Sequence, residues 1–303
     1  MREITGAMRK KAHLLMILLV CIWGFEYIAA KYALGVLQPM TLVCFKYTIG
    51  FFIVLFIKLR TDPHSWLKKR DLPMVIICSI TGEILYFFSE YTAMDYMPVS
   101  LVTIMLAFVP ILSVIIERIV FKKKTSPKIV VGIVICIIGI TFVIGADLDV
   151  LLSGRLIGYV FCFIAVLSWN LFNFFTASLG EKYSGVTLTF NQLICTILLT
   201  LPYALTHLPS PEVLTLPVIG GVIFLGIFSA GTGFFIYVWA IRILGPTTNS
   251  VYSNFMPVST TIFGFLFLGE TVGILQLVGG VIVISAGYLV IKEKGKLEEH
   301  SND

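Results

Sequence analysis

The sequence predicts an all-α polytopic membrane protein, with ten transmembrane helices arranged as two inverted five-helix repeats. Three observations predict it. The first is composition: of 303 residues, 58% are hydrophobic and only 13% are charged, and mean hydropathy is +0.97. A soluble domain is about 45–50% apolar and about 25% charged, so a soluble surface of this size could not be covered with so few ionised groups. A disordered chain, a disulfide scaffold and a nucleic-acid module are excluded on the same grounds. The second observation is a regular division into apolar runs, and the third is a self-similarity between the two halves.

A bilayer core about 30 Å thick requires roughly 20 apolar residues per helix. Ten such runs stand between polar breaks, at about 13–35, 39–58, 72–94, 98–120, 128–146, 156–179, 185–206, 215–241, 246–268 and 272–291. They lack the alternation of a barrel strand, and backbone amides in lipid must be satisfied locally, so each run reads as a helix. The first run follows Arg9, Lys10 and Lys11 but is too long for a signal peptide and has no small-residue cleavage site after it. All six cysteines lie within apolar runs without CxxC spacing, so they read as buried small hydrophobes rather than disulfides or metal ligands.

Charge orients the spans. The odd-numbered connections hold one basic residue, Arg155, whereas the termini and even-numbered connections hold nineteen; Lys31 and Lys46 lie inside spans. The positive-inside rule then places both termini in the cytoplasm of a cell-membrane protein. Topology accounts for the basic residues, so they give no reason to expect nucleic acid as a partner.

Sliding the chain by 147 residues lays Phe87 and Phe88 on Phe234 and Phe235, Pro110 on Pro257 and Gly132 on Gly279; a shift of 146 lays Trp23 on Trp169. Residues 1–12 then form an N-terminal segment, 13–146 the first repeat, 147–155 an extracytoplasmic linker, 156–291 the second repeat and 292–303 a cytoplasmic tail. Five is odd, so the second repeat must be inverted relative to the first. Inverted repeats mark secondary transporters, whose substrate site lies between the halves near the midplane.

Each half opens with a Trp-bearing helix (Trp23, Trp169) and carries a mid-span proline in its fourth (Pro110, Pro257), and the second half ends in Leu268-Gly269-Glu270 followed by Gln276 and Gly279. In these features the chain resembles the EamA family of the drug/metabolite transporter superfamily across residues 12–291. The first half departs from the pattern, with Lys123 at the Glu270 position and Ile129 opposite Gln276. The resemblance implies a cavity lined mainly by helices one, three, four, six, eight and nine, with helices five and ten as scaffold.

Ionisable groups at membrane depth are site candidates by default, because each is costly unless paired or wetted. Glu26 lies 13 residues past His13, about 20 Å along its helix, with Trp23 on the same face. Glu83 reaches a similar depth in the third helix, and Tyr86 and Glu90 extend its face outward. Lys46 could pair with Glu26, Glu83 or Glu90, and Lys31 can snorkel outward. The second half offers neutral groups instead: Trp169, Asn170, Asn173, Asn191, Gln192, Tyr237, Tyr252 and Asn254. The alternative for every one of these is helix-to-helix bonding without a ligand. Pro110 and Pro257 are expected to kink the fourth and ninth helices.

Together these features predict an alternating-access transporter that exports a small polar solute, an amino acid or related metabolite, with protons as coupling ion. Efflux of lipophilic cations is the alternative; a membrane-embedded enzyme is a distant one, since the four histidines sit at span ends, in loops or in the tail, and HExxH and GxSxG do not occur. No P-loop, cofactor or metal motif occurs. The partners expected are the solute and membrane lipid, and a homodimer is compatible with the sequence.

Overall fold

The computed structural model describes residues 6–120, 122, 126–144, 155–180, 182–244, 252 and 254–301. Ten helical spans follow in chain order. They are α1 (Gly6–Leu34), α2 (Pro39–Thr61), α3 (Lys69–Tyr96), α4 (Val99–Ile119), α5 (Pro127–Ile144), α6 (Arg155–Gly180), α7 (Gly185–Thr206), α8 (216–244), α9 (Met256–Leu268) and α10 (Ile274–Ser301). Eight of the described spans are long and apolar enough to cross a bilayer, and α5 and α9 are shorter apolar helices. The expected start of the ninth span, 246–251, lies outside the described residues, as do 147–154 of the expected linker and parts of both expected terminal segments. Helix α10 continues past the expected membrane edge to Ser301.

Proline and glycine set several boundaries. Pro39 opens α2 and Pro127 opens α5, where a missing N–H costs no helical bond. Gly269, at φ 65°, closes α9 in the left-handed conformation that glycine adopts without strain. Pro110 and Pro257 differ from the expected mid-helix kinks. Helix α4 is interrupted by a turn at Ala107–Phe108 and resumes at Val109, while a turn at Asn254–Phe255 precedes Met256, so each proline sits in the first turn of a fresh helical segment.

The helix pairing exposes the repeat. Helix α1 packs on α8 and α9, and α6 packs on α3 and α4; α2 packs on α8, and α3 on α7. Exchanging each helix with the one five places along turns the first member of each relation into the second. The pairs α2–α7 and α5–α10 map onto themselves. Local distortions repeat too: π-helical turns occupy Ser79–Leu85 in α3 and Leu225–Gly233 in α8, one shift of 147 apart. Such widened turns often accompany functional sites.

Without a hydrophobic drive in lipid, close contact between helices depends on small residues. In α5–α10, Gly139 and Gly279 bring backbones together: a Cβ on Gly279 would stand 2.7 Å from the Gly139 carbonyl oxygen and 2.8 Å from the Val143 nitrogen. Outward-facing Val131, Val134, Ile138, Phe265, Leu266 and Leu289 give the bundle an apolar exterior. Gly279→Val is expected to destabilise the fold by about 1–3 kcal/mol, since backbone cannot yield as a side chain can. Thermal unfolding in detergent checks this, with Gly220→Ala, where no atom lies within 4 Å of a new Cβ, as the control.

Candidate functional site

Three carboxylates are sealed between the halves, Glu26 at 7%, Glu83 at 6% and Glu90 at 2% exposure. Glu26 on α1 forms an ion pair with Lys46 of α2, itself 1% exposed, and its second oxygen accepts a 2.5 Å hydrogen bond from Ser229 Oγ of α8. The Lys46 ammonium also lies 3.6 Å from the Phe87 ring centroid, a cation–π contact. Of the three partners open to Lys46 in sequence, the fold therefore selects Glu26.

The other two carboxylates are held by hydroxyl groups. Glu90 accepts from Tyr27 Oη at 2.7 Å and Tyr86 Oη at 2.9 Å, and Glu83 accepts from Thr196 Oγ1 of α7. Tyr86 carries the site to the second half: its ring centroid is 4.8 Å from that of Trp169, which in turn lies 5.0 Å from Phe172. A chain of carboxylates, phenols and indole thus joins α1, α3, α6 and α7.

The repeat explains why the site is lopsided. Glu26, shifted by 146 as Trp23 is, falls on Phe172, and Ser229, shifted by 147, falls on Gly82; a Cβ on Gly82 would meet the Phe172 ring at 2.2 Å. Glu83, shifted by 147, falls on Ala230, and Thr196, shifted by 146, falls on Gly50; a Cβ on Gly50 would meet Ala230 Cβ at 2.9 Å. The same backbone approaches occur twice, once through a polar pair and once through a glycine against an apolar side chain. The polar pairs on α1–α8 and α3–α7 leave their mirror positions dry.

The family follows from comparison. The EamA-like transporter family matches residues 10–145 and 156–292. The chain belongs to that family. An uncharacterized transporter of Archaeoglobus fulgidus is 23% identical to this EamA-like protein, over 94% of this chain and all of its own length. The uncharacterized transporter YoaV of Bacillus subtilis is also 23% identical, over 90% and 94% of the two chains. PecM of Dickeya dadantii is 23% identical, over 89% of each. A solved crystal structure shares the fold at TM-score 0.64 and 16% identity, over 92% of this chain and 97% of that one. The protein is accordingly a multi-pass membrane transporter of the drug/metabolite transporter superfamily, not an enzyme.

Other residues singled out from sequence lie elsewhere in this EamA-like bundle. Trp23 packs on Tyr237, ring centroids 5.4 Å apart, near Gly233. Asn170 donates to the carbonyls of Val166 and Val109, tying α6 to the resumption of α4. Asn254 donates to the Ile284 carbonyl at 2.7 Å, tying the turn before α9 to α10. Tyr252 meets His13 Nδ1 at 2.7 Å at the end of the bundle that holds the start of α1. Asn173 is exposed, although its neighbour Phe172 packs on Gly82 of α3. Lys31 donates to the Met94 carbonyl rather than to a carboxylate. An apolar crevice of about 310 Å³, lined by Phe45, Ile49, Val218 and Val222 among others, opens between α2 and α8 away from the carboxylates.

Sequence reasoning does not single out Tyr27, Thr196, Ser229 or Tyr91, whose buried hydroxyl lies 3.5 Å from the Lys46 ammonium. The pairing of Ser229 with Glu26 becomes visible only when α8 is laid against α1.

Two expectations follow. Lys46→Met leaves Glu26 without its counter-charge and should cost about 3–5 kcal/mol, most of it recovered in Glu26→Gln/Lys46→Met; chemical denaturation of all three variants in detergent measures the coupling. In the α2–α3 connection, hydrogen bonds from Ser184 and Thr187 hold the Asp62 carboxyl below the ordinary range. A lowered folded value contributes stability above the unfolded value that is lost as pH falls through the folded one. The thermal stability of the wild type should exceed that of Asp62→Asn at neutral pH, and the gap should close in acid.

Proposed function

We propose that this protein is a secondary transporter of the cell membrane, with both termini cytoplasmic, that exports a small organic solute by alternating access in exchange for protons. The observation that carries the reading is the inventory of charge in the sealed cluster. Glu26 has an internal cation, whereas the partners of Glu83 and Glu90 are hydroxyls. A buried carboxylate with neutral donors calls for a cation, either a proton or an ammonium group, and the two compete for the same oxygens. That competition couples them: an ammonium solute leaves when protons take its place.

Tyr86, Trp169 and Phe172 supply the apolar wall such a solute would rest on, through cation–π and stacking contacts. An amino acid or related metabolite would be held by its ammonium group. Its carboxylate would have to displace Glu26 from Lys46. The same ion pair favours a second reading, efflux of lipophilic cations, which make no demand on Lys46.

Proteoliposomes with an imposed pH gradient test both readings, with radiolabelled amino acids run beside aromatic amines and a lipophilic cation. Gradient-driven flux of an ammonium-bearing solute should fall at least about tenfold in Glu83→Gln or Glu90→Gln. Amino-acid flux altered by Lys46→Met selects the first reading, and cation flux indifferent to it selects the second. Undiminished flux in all the glutamate variants would return the cluster to a packing role.

A further inference from the structure

We propose that Glu270 and Asp62 are the latches of two opposite gates, one at each end of the bundle, that seal the carboxylate cluster from the two sides of the membrane. This rests on the alternating-access reading and assigns residues to it outside the cluster. Each latch joins the two repeats, and each takes its acid from a different repeat.

Glu270 stands immediately beyond the left-handed Gly269 that ends α9. Its carboxylate accepts the backbone N–H groups of Val99 at 2.8 Å and Ser100 at 3.2 Å, and Ser100 Oγ at 2.8 Å. These are the first residues of α4, where N–H groups lack helical partners and the helix dipole favours an anion. Gly264 makes the approach practicable: a Cβ there would lie 2.8 Å from Glu270 Oε2 and 2.9 Å from Ser100 Oγ. The second repeat thus grips the first at the end away from the termini.

At the termini-bearing end, marked by Glu293 of α10 meeting Ser126 and Lys128 at the start of α5, the roles reverse. Asp62, just past α2, accepts from Ser184 Oγ and from Thr187 Oγ1 at 2.8 Å, at the start of α7. Asp71 adds Tyr183 Oη at 2.7 Å and Lys182 Nζ at 3.2 Å. The buried Lys58 ammonium braces the intervening loop through the carbonyls of Asp62 and Ser65. Here the first repeat supplies the acids and the second supplies the donors.

Position suits both sets to gating. The cluster bonds lie deep, where breaking one strands a buried charge, whereas the latch bonds lie at helix ends, where water can replace each of them when the halves part. With both latches closed the cluster is sealed on both sides, as observed, and release of one exposes it to one side only.

Native cysteines can report this without a known solute. Cys162 of the second repeat is buried against Met97 of the first, Sγ to Sδ 3.8 Å, close to the Glu270 latch. Cys78 of the first repeat is buried with Leu179, Leu188 and Cys195 of the second, close to the Asp62 latch. Labelling of reconstituted full-length protein with a charged, membrane-impermeant maleimide, applied to each side and read peptide by peptide by mass spectrometry, follows both thiols. Glu270→Gln, and more mildly Ser100→Ala, should speed labelling of Cys162 about tenfold with Cys78 unchanged; Asp62→Asn should do the reverse. Glu293→Gln should move neither.

Simultaneous exposure of both cysteines in either latch variant would mean general loosening and overturn the assignment. Unchanged labelling in all variants would overturn it as well. Flux in the same vesicles separates the causes: variants with wild-type flux and unchanged labelling defeat the latches and leave the transport reading intact, whereas wild-type protein without gradient-driven flux defeats that reading itself.

Discussion

A carboxylate enclosed by apolar helices has no water to turn to, and the way Glu26 meets that constraint organises the centre of this bundle. Lys46 neutralises it from α2 and Ser229 completes it from α8, so a single side chain draws one helix of its own repeat and one of the other into register. Lys46 is then stacked on Phe87 of α3, which brings in the helix bearing Glu83 and Glu90. Separating any of these helices would leave a charge in a medium of low polarity, a cost of several kcal/mol in real proteins. The halves are therefore fastened at their centre by chemistry that penalises separation there.

The broken symmetry follows from the same constraint. Two repeats of one fold offer two equivalent places for each polar contact. Filling both would double the buried charge and the hydrogen-bonding demands on the lining. Instead, Phe172 on Gly82 and Ala230 on Gly50 close the mirror sites with van der Waals contact. The result is a set of buried carboxylates on the first repeat beside Trp169 and Phe172 of the second.

Much of this was legible in the sequence. Ten spans could be counted because the bilayer imposes a length of about 20 residues, and α7 begins and ends where its apolar run does. Lysine and arginine placement, repeat spacing and the depth of Glu26, Glu83 and Glu90 are likewise properties of the chain read in one dimension. Prolines 110 and 257 were recognisable as break points, but their effect was not. Whether a helix bends through a proline or stops and restarts depends on the turn before it, and that turn is held by neighbouring helices.

The sequence by itself determined the class of protein, the number and order of its helices, the inversion of its halves and the set of acids too deep to be wet, because hydrophobicity and period act locally along the chain. Only the tertiary structure decided which acid took Lys46, that Asn173 stays exposed while Asn170 and Asn254 serve as ties, and that Glu270 and Asp62 bridge the repeats. The separations involved make the reason plain. Glu26 meets Ser229 across 203 residues and Glu270 meets Val99 across 171, and contacts between residues so distant in sequence are fixed by how helices pack, which no local pattern records.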